Sequence, residues 1–517
     1  MRKIKKLLLS RIFIVGVLIL IQTVWFITFM LNLTSESWWI QIVLQVLSFI
    51  ALILVINRND NPAYKLAWSI PILAFPILGG LLYGMLGGKK PARRMRTQID
   101  ASWKRLSKEI MQEKEVLNTI EGIDKKVRGQ VGYIVNNSGY PVYSNTLVKY
   151  YESGEENFPD MLEALRNAEK FIFVEYFIIG EGRMWNEILE ILKEKAKAGV
   201  DVRLIYDDFG CLTLLPYKYG EELAKYNIKC VVFNPVIPIF SAVMNHRDHR
   251  KIMVIDGTIG FTGGINLADE YINEKNRFGY WKDTGIRLIG DAVFSLTTMF
   301  LTTWNAFHSS NDHLKDFTPD ATLYQKFLDM NEGKDTYGFV QPYADSPLDE
   351  ENVGENVYLN IINMAQDYVY ICTPYLIIDN EMMTSLCLAS KRGVDVRIIT
   401  PNIPDKKIVF AVTQSYYEQL VKAGIKVYQF EPGFLHAKSF VCDDEIATVG
   451  TINMDYRSLY LHFECGVYMY RNKTILDIKK DFIQTMQQSI HMTEDKIKRK
   501  LPMRLFQSIL RLFAPMM

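Results

Sequence analysis

The chain is poor in the residues that mark metal, disulfide or nucleotide chemistry. Among 517 residues there are six cysteines, Cys211, Cys230, Cys372, Cys387, Cys442 and Cys465, all isolated. No Cys-x-x-Cys pair or Cys/His ligand spacing occurs. That gives no sign of a zinc site or a disulfide framework, and it fits a reducing compartment for the globular part. Seven histidines are present, and none sits in a metal-like cluster along the sequence, so neither metal nor cofactor is expected. No glycine-rich loop ends in Lys-Ser/Thr, so no nucleotide cradle is expected. Charge is nearly absent in sum: 59 Lys+Arg against 58 Asp+Glu leave +1. A generic polyanion binder is thereby excluded, and nucleic acid is not an expected partner.

One pattern is present twice. The first copy is His249-Arg250-Lys251, then Asp256, Gly263-Gly264 and Asn266. The second is His436-Ala437-Lys438, then Asp443, Gly450-Thr451 and Asn453, at matching spacings. The surroundings are duplicated too. Gly199-Val200-Asp201-Val202-Arg203 recurs as Gly393-Val394-Asp395-Val396-Arg397, and the aromatic-rich strand from Phe171 to Ile179 recurs from Tyr370 to Ile378. Apolar β-branched strands alternating with amphipathic helices predict α/β layers. Along a strand, period two puts the His and Lys of each motif on one face. If the two faces meet, two imidazoles and two ammonium groups converge on an anion, most plausibly a phosphodiester. One neutral imidazole can attack phosphorus, and the other, protonated, can protonate the leaving alkoxide. Lys251 and Lys438 supply charge for the phosphoryl oxygens, and Asn266 and Asn453 neutral donors. Asp256 and Asp443 are counted with the catalytic set, although tying the motif strand to its turn is the plainer reading.

These residues resemble the phospholipase D superfamily, whose mark is a duplicated H-x-K-x-x-x-x-D motif followed by a glycine pair or Gly-Ser/Thr and an Asn. The stretch Asn61-Pro62-Ala63-Tyr64-Lys65-Leu66-Ala67-Trp68, leading into Pro76 and Gly79, is similar to the membrane region of bacterial cardiolipin synthases. The resemblance implies a fold: two similar mixed-sheet halves sharing one active site on their pseudo-twofold interface, preceded by an α-helical transmembrane region. It also implies an orienting carboxylate downstream of each Asn, matched here by Asp283 and Glu464. Tyr176 and Tyr375 fall near the implied mouth, with a core role equally open, and His462 beside Glu464 would lie just behind the dyad. The implied reaction passes a phosphatidyl group between two phosphatidylglycerol molecules through a phosphohistidine, giving cardiolipin and glycerol. His249 is read as the nucleophile and His436 as the acid, with the reverse assignment open. Hydrolysis or another phosphatidyl transfer on the same site is the alternative, and an inactive lipid-binding scaffold is the alternative from a different class.

Long apolar runs are plentiful at the amino terminus. Ile12 to Leu31, Trp38 to Ile56, and Ala63 to Gly88 with Pro71 and Pro76 inside it predict a membrane-embedded region over 1–90. Lys89, Lys90, Arg93, Arg94 and Arg96 then predict a cytoplasmic exit and a cytoplasmic catalytic part at the bacterial cell membrane. Two crossings with a re-entrant third segment is the preferred topology, and three crossings the alternative. A charged helical linker follows over 91–140. The first half is expected over 141–330, the second over 331–490, and a basic amphipathic tail over 491–517. That tail and the apolar stretch Val231 to Met244 are candidate contacts to anionic membrane lipids. Nothing in the sequence bears on oligomeric state.

Overall fold

The computed structural model describes residues 38–74, 93–236, 245–308, 310–319, 338–349 and 351–516, with isolated positions between 17 and 31 and between 79 and 87. The first sheet has seven strands in the order β1-β8-β6-β5-β2-β3-β4. These are β1 (Thr146–Tyr151), β2 (Phe171–Tyr176), β3 (Asp201–Asp207), β4 (Lys229–Phe233), β5 (Lys251–Ile255), β6 (Ile259–Gly263) and β8 (Gly285–Gly290). The second sheet repeats that order as β9-β16-β15-β14-β10-β11-β12, with β17 added at the edge. Its strands are β9 (Phe339–Asp345), β10 (Tyr368–Cys372), β11 (Asp395–Pro401), β12 (Lys426–Phe430), β14 (Ser439–Cys442), β15 (Ile446–Gly450), β16 (Glu464–Tyr470) and β17 (Ser489–His491). Two short strands, β7 (Tyr280–Lys282) and β13 (Gly433–Leu435), pair in parallel across the halves.

The repeated Gly-Val-Asp-Val-Arg segment has a local cause. Parallel pairs such as β2–β3 and β10–β11 need a helical crossover. The helices Arg183–Lys197 and Asn380–Lys391 supply it, and each is stopped by a glycine with positive φ, Gly199 at 95° and Gly393 at 99°. That conformation costs glycine nothing and closes the last helical turn. The Asp–Arg pairs that follow bond to each other, Arg203 to Asp201 at 2.7 Å and Arg397 to Asp395 at 2.5 Å. They knit the sheet and take no part in the site.

The two sheets bury their inner faces against each other. Ile252, Val254, Ile286 and Leu288 of the first share one cluster with Ala447, Val449, Val467 and Met469 of the second. The helix Val293–His308, buried nearly all round, lies inside this cluster, and the hydroxyls of Thr297, Thr298 and Thr302 donate to carbonyls of the preceding turn. Outer helices cover the other faces in two further clusters. The stretch expected as a linker is helical but docked. Met95, Ile99 and Leu106 join the shared core, while Val116, Ile120, Val127, Val131 and Ile134 pack on the second half. Their helical spacing gives each helix an apolar stripe that only burial satisfies.

At the amino terminus the first apolar run lies almost wholly outside the described residues. The second forms the helix Trp38–Asn57, and the third begins as Pro62–Ala74 with Pro71 inside it, its remainder being only partly described. Among the described residues no helix is long and apolar enough to cross a membrane, so the expected transmembrane region is helical without being shown to span. Leu52 and Val55 pack on Tyr64, Trp68 and Ile72, while Trp39, Ile42, Val43, Val46, Leu47, Phe49, Ile50, Ile53 and Leu54 are exposed. Of the apolar stretch Val231 to Met244, Val231, Phe233 and Val236 are buried in the core, and 237–244 lie outside the described residues.

Candidate active site

The site forms where the inner strand ends of the two sheets meet. The chain entering β5 bonds to the chain entering β16: His249 N donates to Phe463 O at 2.9 Å, and Phe463 N donates to Arg247 O at 2.9 Å. On the other side His436 N donates to Lys282 O at 2.6 Å, beside the β7–β13 pair. These backbone bonds set each motif histidine next to the acid of the opposite half. His249 Nδ1 is 2.9 and 3.0 Å from the two carboxylate oxygens of Glu464, and His436 Nδ1 is 2.6 Å from Asp283 Oδ2. The sequence names both acids, but the exchange between halves is visible only in three dimensions. With Nδ1 held, Nε2 of each ring is left for chemistry.

The motif lysines are fully buried, and each ammonium donates to the carbonyl of its own histidine, Lys251 to His249 and Lys438 to His436. One of three donors is thus used, and the others remain for an anion. Burial dominates the electrostatics. It lowers His249 well below the ordinary imidazole value, with Lys251 adding to the effect, and lowers His436 to about 4, with Lys438 adding to it. Burial likewise lowers Lys251 to about 8 and Lys438 to about 7, and raises Glu464 to about 8 against the pull of Lys251. Every one of these groups is pushed toward its neutral form. A bound phosphodiester would reverse this for the cations, since an adjacent negative charge favours protonated imidazole and ammonium. Burial thus favours a neutral imidazole for attack, and an adjacent phosphodiester would help to charge the acid.

The small residues after each motif strand fit their acids. A Cβ at Gly264 would fall 2.0 Å from Asp283 Oδ1, so the first half needs glycine there. The second half has Thr451 instead, whose hydroxyl donates to Glu464. Asn266 is largely committed, accepting from Ile178 N at 3.0 Å and donating to the Tyr271 hydroxyl at 2.8 Å, which leaves one amide hydrogen. Asn453 is buried, and its Oδ1 has no hydrogen-bond partner among the described residues.

Two expectations need correction. Asp256 and Asp443 are not at the reacting centre. Each ends its motif strand in a left-handed conformation, φ 52° at both, and accepts three backbone N–H groups. For Asp256 these come from Glu169, Lys170 and Phe171 at 2.7, 2.7 and 2.8 Å, and for Asp443 from Gln366, Asp367 and Tyr368 at 2.7, 3.0 and 2.8 Å. They anchor the far ends of the strands that carry His and Lys. His246, in the loop just before the first motif, is buried, with Nδ1 3.1 Å from Leu461 O. The histidines do cluster in space: ligand atoms of His249, His462 and Glu464 all lie within 4.8 Å of one another. The fold brings together what a separation of 213 positions, from 249 to 462, hides in the sequence.

Sequence reasoning also missed a buried network beneath the first motif. Arg250 lies 2.8 Å from Asp248, 2.8 Å from Glu175 and 2.7 Å from the Thr303 hydroxyl. The second motif has Ala437 at the matching place, and that Arg/Ala difference was the available signal. Tyr176 is a core residue, while the hydroxyl of Tyr375 donates to Asp405 at 2.6 Å.

A duplicated mixed sheet with a crossed pair of His–carboxylate couples and two buried lysines is the site architecture of the phospholipase D superfamily. The family model "Cardiolipin synthase, PLD-like domain" matches residues 161–277 and 358–486, and "Phospholipase_D-nuclease N-terminal" matches 46–88. The chain belongs to the cardiolipin synthase family of the phospholipase D superfamily. It is 45% identical over 464 residues to an uncharacterised protein of Streptococcus mutans, covering 90% of this chain and 98% of that one. It is 34% identical over 478 residues to a cardiolipin synthase of Alkalihalophilus pseudofirmus, covering 90% and 91%. The crystal structure of a phosphatidylserine synthase from Haemophilus influenzae shares the fold, with a TM-score of 0.57 at 16% identity, covering 75% of this chain and 100% of that one.

Proposed function

We propose that the protein is a cardiolipin synthase that joins two phosphatidylglycerol molecules at a membrane surface. Its catalytic groups in this reading are His249, His436, Lys251 and Lys438, with Asp283 and Glu464 positioning the imidazoles. His249 attacks the phosphorus of one phosphatidylglycerol. The P–O bond to the headgroup glycerol breaks, and His436 gives that glycerol its proton. His436, now neutral, takes the proton from a hydroxyl of the second phosphatidylglycerol. That oxygen displaces His249 from phosphorus, giving cardiolipin. One phosphodiester replaces another, so no energy source is consumed. The observation that carries this reading is the crossed arrangement, in which each histidine holds a carboxylate on Nδ1 and faces two buried lysines. Membrane attachment is supported by the exposed apolar residues of Trp38–Asn57, and the catalytic part is read as cytoplasmic.

Purified protein incubated with labelled phosphatidylglycerol alone should release glycerol and accumulate labelled cardiolipin. His249→Ala and His436→Ala should each lose nearly all of this activity while remaining folded. Phosphatidic acid as the sole lipid product would replace this reading with hydrolysis.

A further inference from the structure

The duplication lets each corner of the site be compared with its twin. Because His249 N bonds to Phe463 O and His436 N to Lys282 O, Phe463 and Lys282 are equivalent, and so are the residues before them, His462 and Trp281. The His436 corner is filled. Trp281 packs on Tyr271 and Phe434 with ring centroids 4.8 and 4.9 Å apart, and among the described residues Asp283 belongs to no cluster of three His, Cys, Asp or Glu ligands. The His249 corner differs. There the twin position carries a second imidazole, whose ring lies 5.7 Å from that of His249. His462 Nδ1 is buried and has no hydrogen-bond partner among the described residues. It lies 3.8 Å from Glu464 Oε1, beyond hydrogen-bond reach, and the same oxygen is 2.9 Å from His249 Nδ1.

Those separations would let a metal ion take the place of the His249–Glu464 hydrogen bond and engage His462 as well. Zinc bonds histidine nitrogen and carboxylate oxygen at about 2.0–2.2 Å, so two ligands of a tetrahedral ion stand about 3.3 Å apart. The 2.9 and 3.8 Å separations bracket that value, and all three ligand atoms fall within 4.8 Å. Two imidazoles and one carboxylate are a donor set for zinc or cobalt rather than for magnesium or calcium, which take oxygen ligands.

We propose that His249, His462 and Glu464 form an inhibitory site for a zinc-class divalent ion. Binding would cost the enzyme His249. In the free protein Nδ1–H donates to Glu464, and Nε2 keeps the lone pair needed to attack or to accept a proton. A metal on Nδ1 takes that nitrogen's lone pair, so the ring's remaining proton must sit on Nε2. His249 is then neither nucleophile nor base, and Glu464 no longer orients it. No bond of substrate is made or broken in this step; the ion replaces one hydrogen bond by three coordination bonds. The inference concerns inhibition, so it stands beside a phosphatidyl transfer that itself uses no metal.

The test uses the full-length protein in detergent with Zn²⁺ and Co²⁺ as probes. One equivalent of Co²⁺ should bind and give the visible absorption of a four-coordinate site, and Zn²⁺ should displace it. Zn²⁺ should inhibit labelled lipid turnover, and chelator should restore it fully. His462→Trp, which installs the twin residue, should abolish the Co²⁺ spectrum. It should also raise the Zn²⁺ concentration for half-inhibition by about tenfold or more, as loss of a ligand requires. Should that variant fail to fold, His462→Gln offers a smaller change with the same expected shift. Unaltered Zn²⁺ inhibition in a folded His462 variant, absence of stoichiometric Co²⁺ binding, or activation by Zn²⁺ would each overturn the proposal. The Co²⁺ spectrum is read without substrate, so it stands whichever lipid product the enzyme makes.

Discussion

Asp283 Oδ2 lies 2.6 Å from Nδ1 of His436, so a carboxylate of the first half orients the imidazole of the second. Glu464 does the same for His249 in the opposite direction. Neither half holds a complete couple by itself. Duplication of an ancestral half-site would leave this mark if the active form had always been a pair.

The couples predict a loss of turnover without loss of fold. Asp283→Asn and Glu464→Gln preserve shape but replace a carboxyl oxygen beside Nδ1 with an amide that can also donate, so the imidazole tautomer is no longer fixed. Each should reduce the initial rate about a hundredfold or more. Rates within twofold of the unaltered protein, measured on folded material, would rule out the positioning role.

Asp256 and Asp443 predict the reverse pattern. Asp256→Asn tolerates the left-handed turn but has one acceptor oxygen where two served three N–H groups. Stranded buried donors cost on the order of 2 kcal/mol. The expected result is a lowered unfolding temperature with specific activity of the folded fraction nearly intact. Lost turnover at an unchanged unfolding temperature would return these residues to the chemistry.

Much of this was legible before any coordinates. The repeat of His249-x-Lys251 as His436-x-Lys438 marks the candidate site, and the repeat of Gly199 as Gly393 marks the same helix stop in both halves. What stayed hidden was pairing across the halves. Sequence order places Asp283 with His249 and Glu464 with His436, and only the backbone bonds at Phe463 and Lys282 exchange them. Burial was hidden for a related reason. Arg250 sits in the polar stretch from His246 to Lys251, yet it is enclosed once the two sheets meet. The docked helices of 91–140 were masked by their charge, which covers the outer face of an apolar stripe.

The pH response of stability follows from His436. Its imidazole is lowered from 6.5 to about 4, so the folded state binds fewer protons than the unfolded state between those values. Its contribution is therefore complete above pH 6.5 and is lost as pH falls toward 4. Glu464, raised to about 8, works the other way, gaining stability as pH falls from 8 toward 4.5. The difference between the protein and His436→Gln isolates the first effect. The variant's unfolding temperature should fall less between pH 7 and pH 5. Equal falls would mean that His436 carries its proton freely in the fold.

The carboxy-terminal helix Leu501–Leu512 yields the last prediction. Its docking is narrow: buried Gln507 donates to Ala411 O at 3.1 Å, Arg511 stacks over Tyr416 at 4.1 Å, and Ala514 and Pro515 are buried beyond it. Leu510 also packs on the core of the second half, whereas Leu501, Leu505, Phe506, Ile509 and Leu512 are open, between 41 and 69% exposed. Pro62–Ala74 packs against this same end of the chain, so the open face adjoins the amino-terminal apolar helices. An ordinary docked helix would turn those side chains inward. Turned outward beside Lys496, Lys498, Arg499 and Lys500, they suit the boundary of an anionic leaflet. Phe506→Ser with Ile509→Ser changes only exposed groups, so unfolding temperature should move little. Turnover on anionic vesicles should fall several-fold, while turnover of short-chain substrate in detergent should hold. Equal loss on both substrates would make the helix a folding element and leave membrane contact to the amino-terminal helices alone.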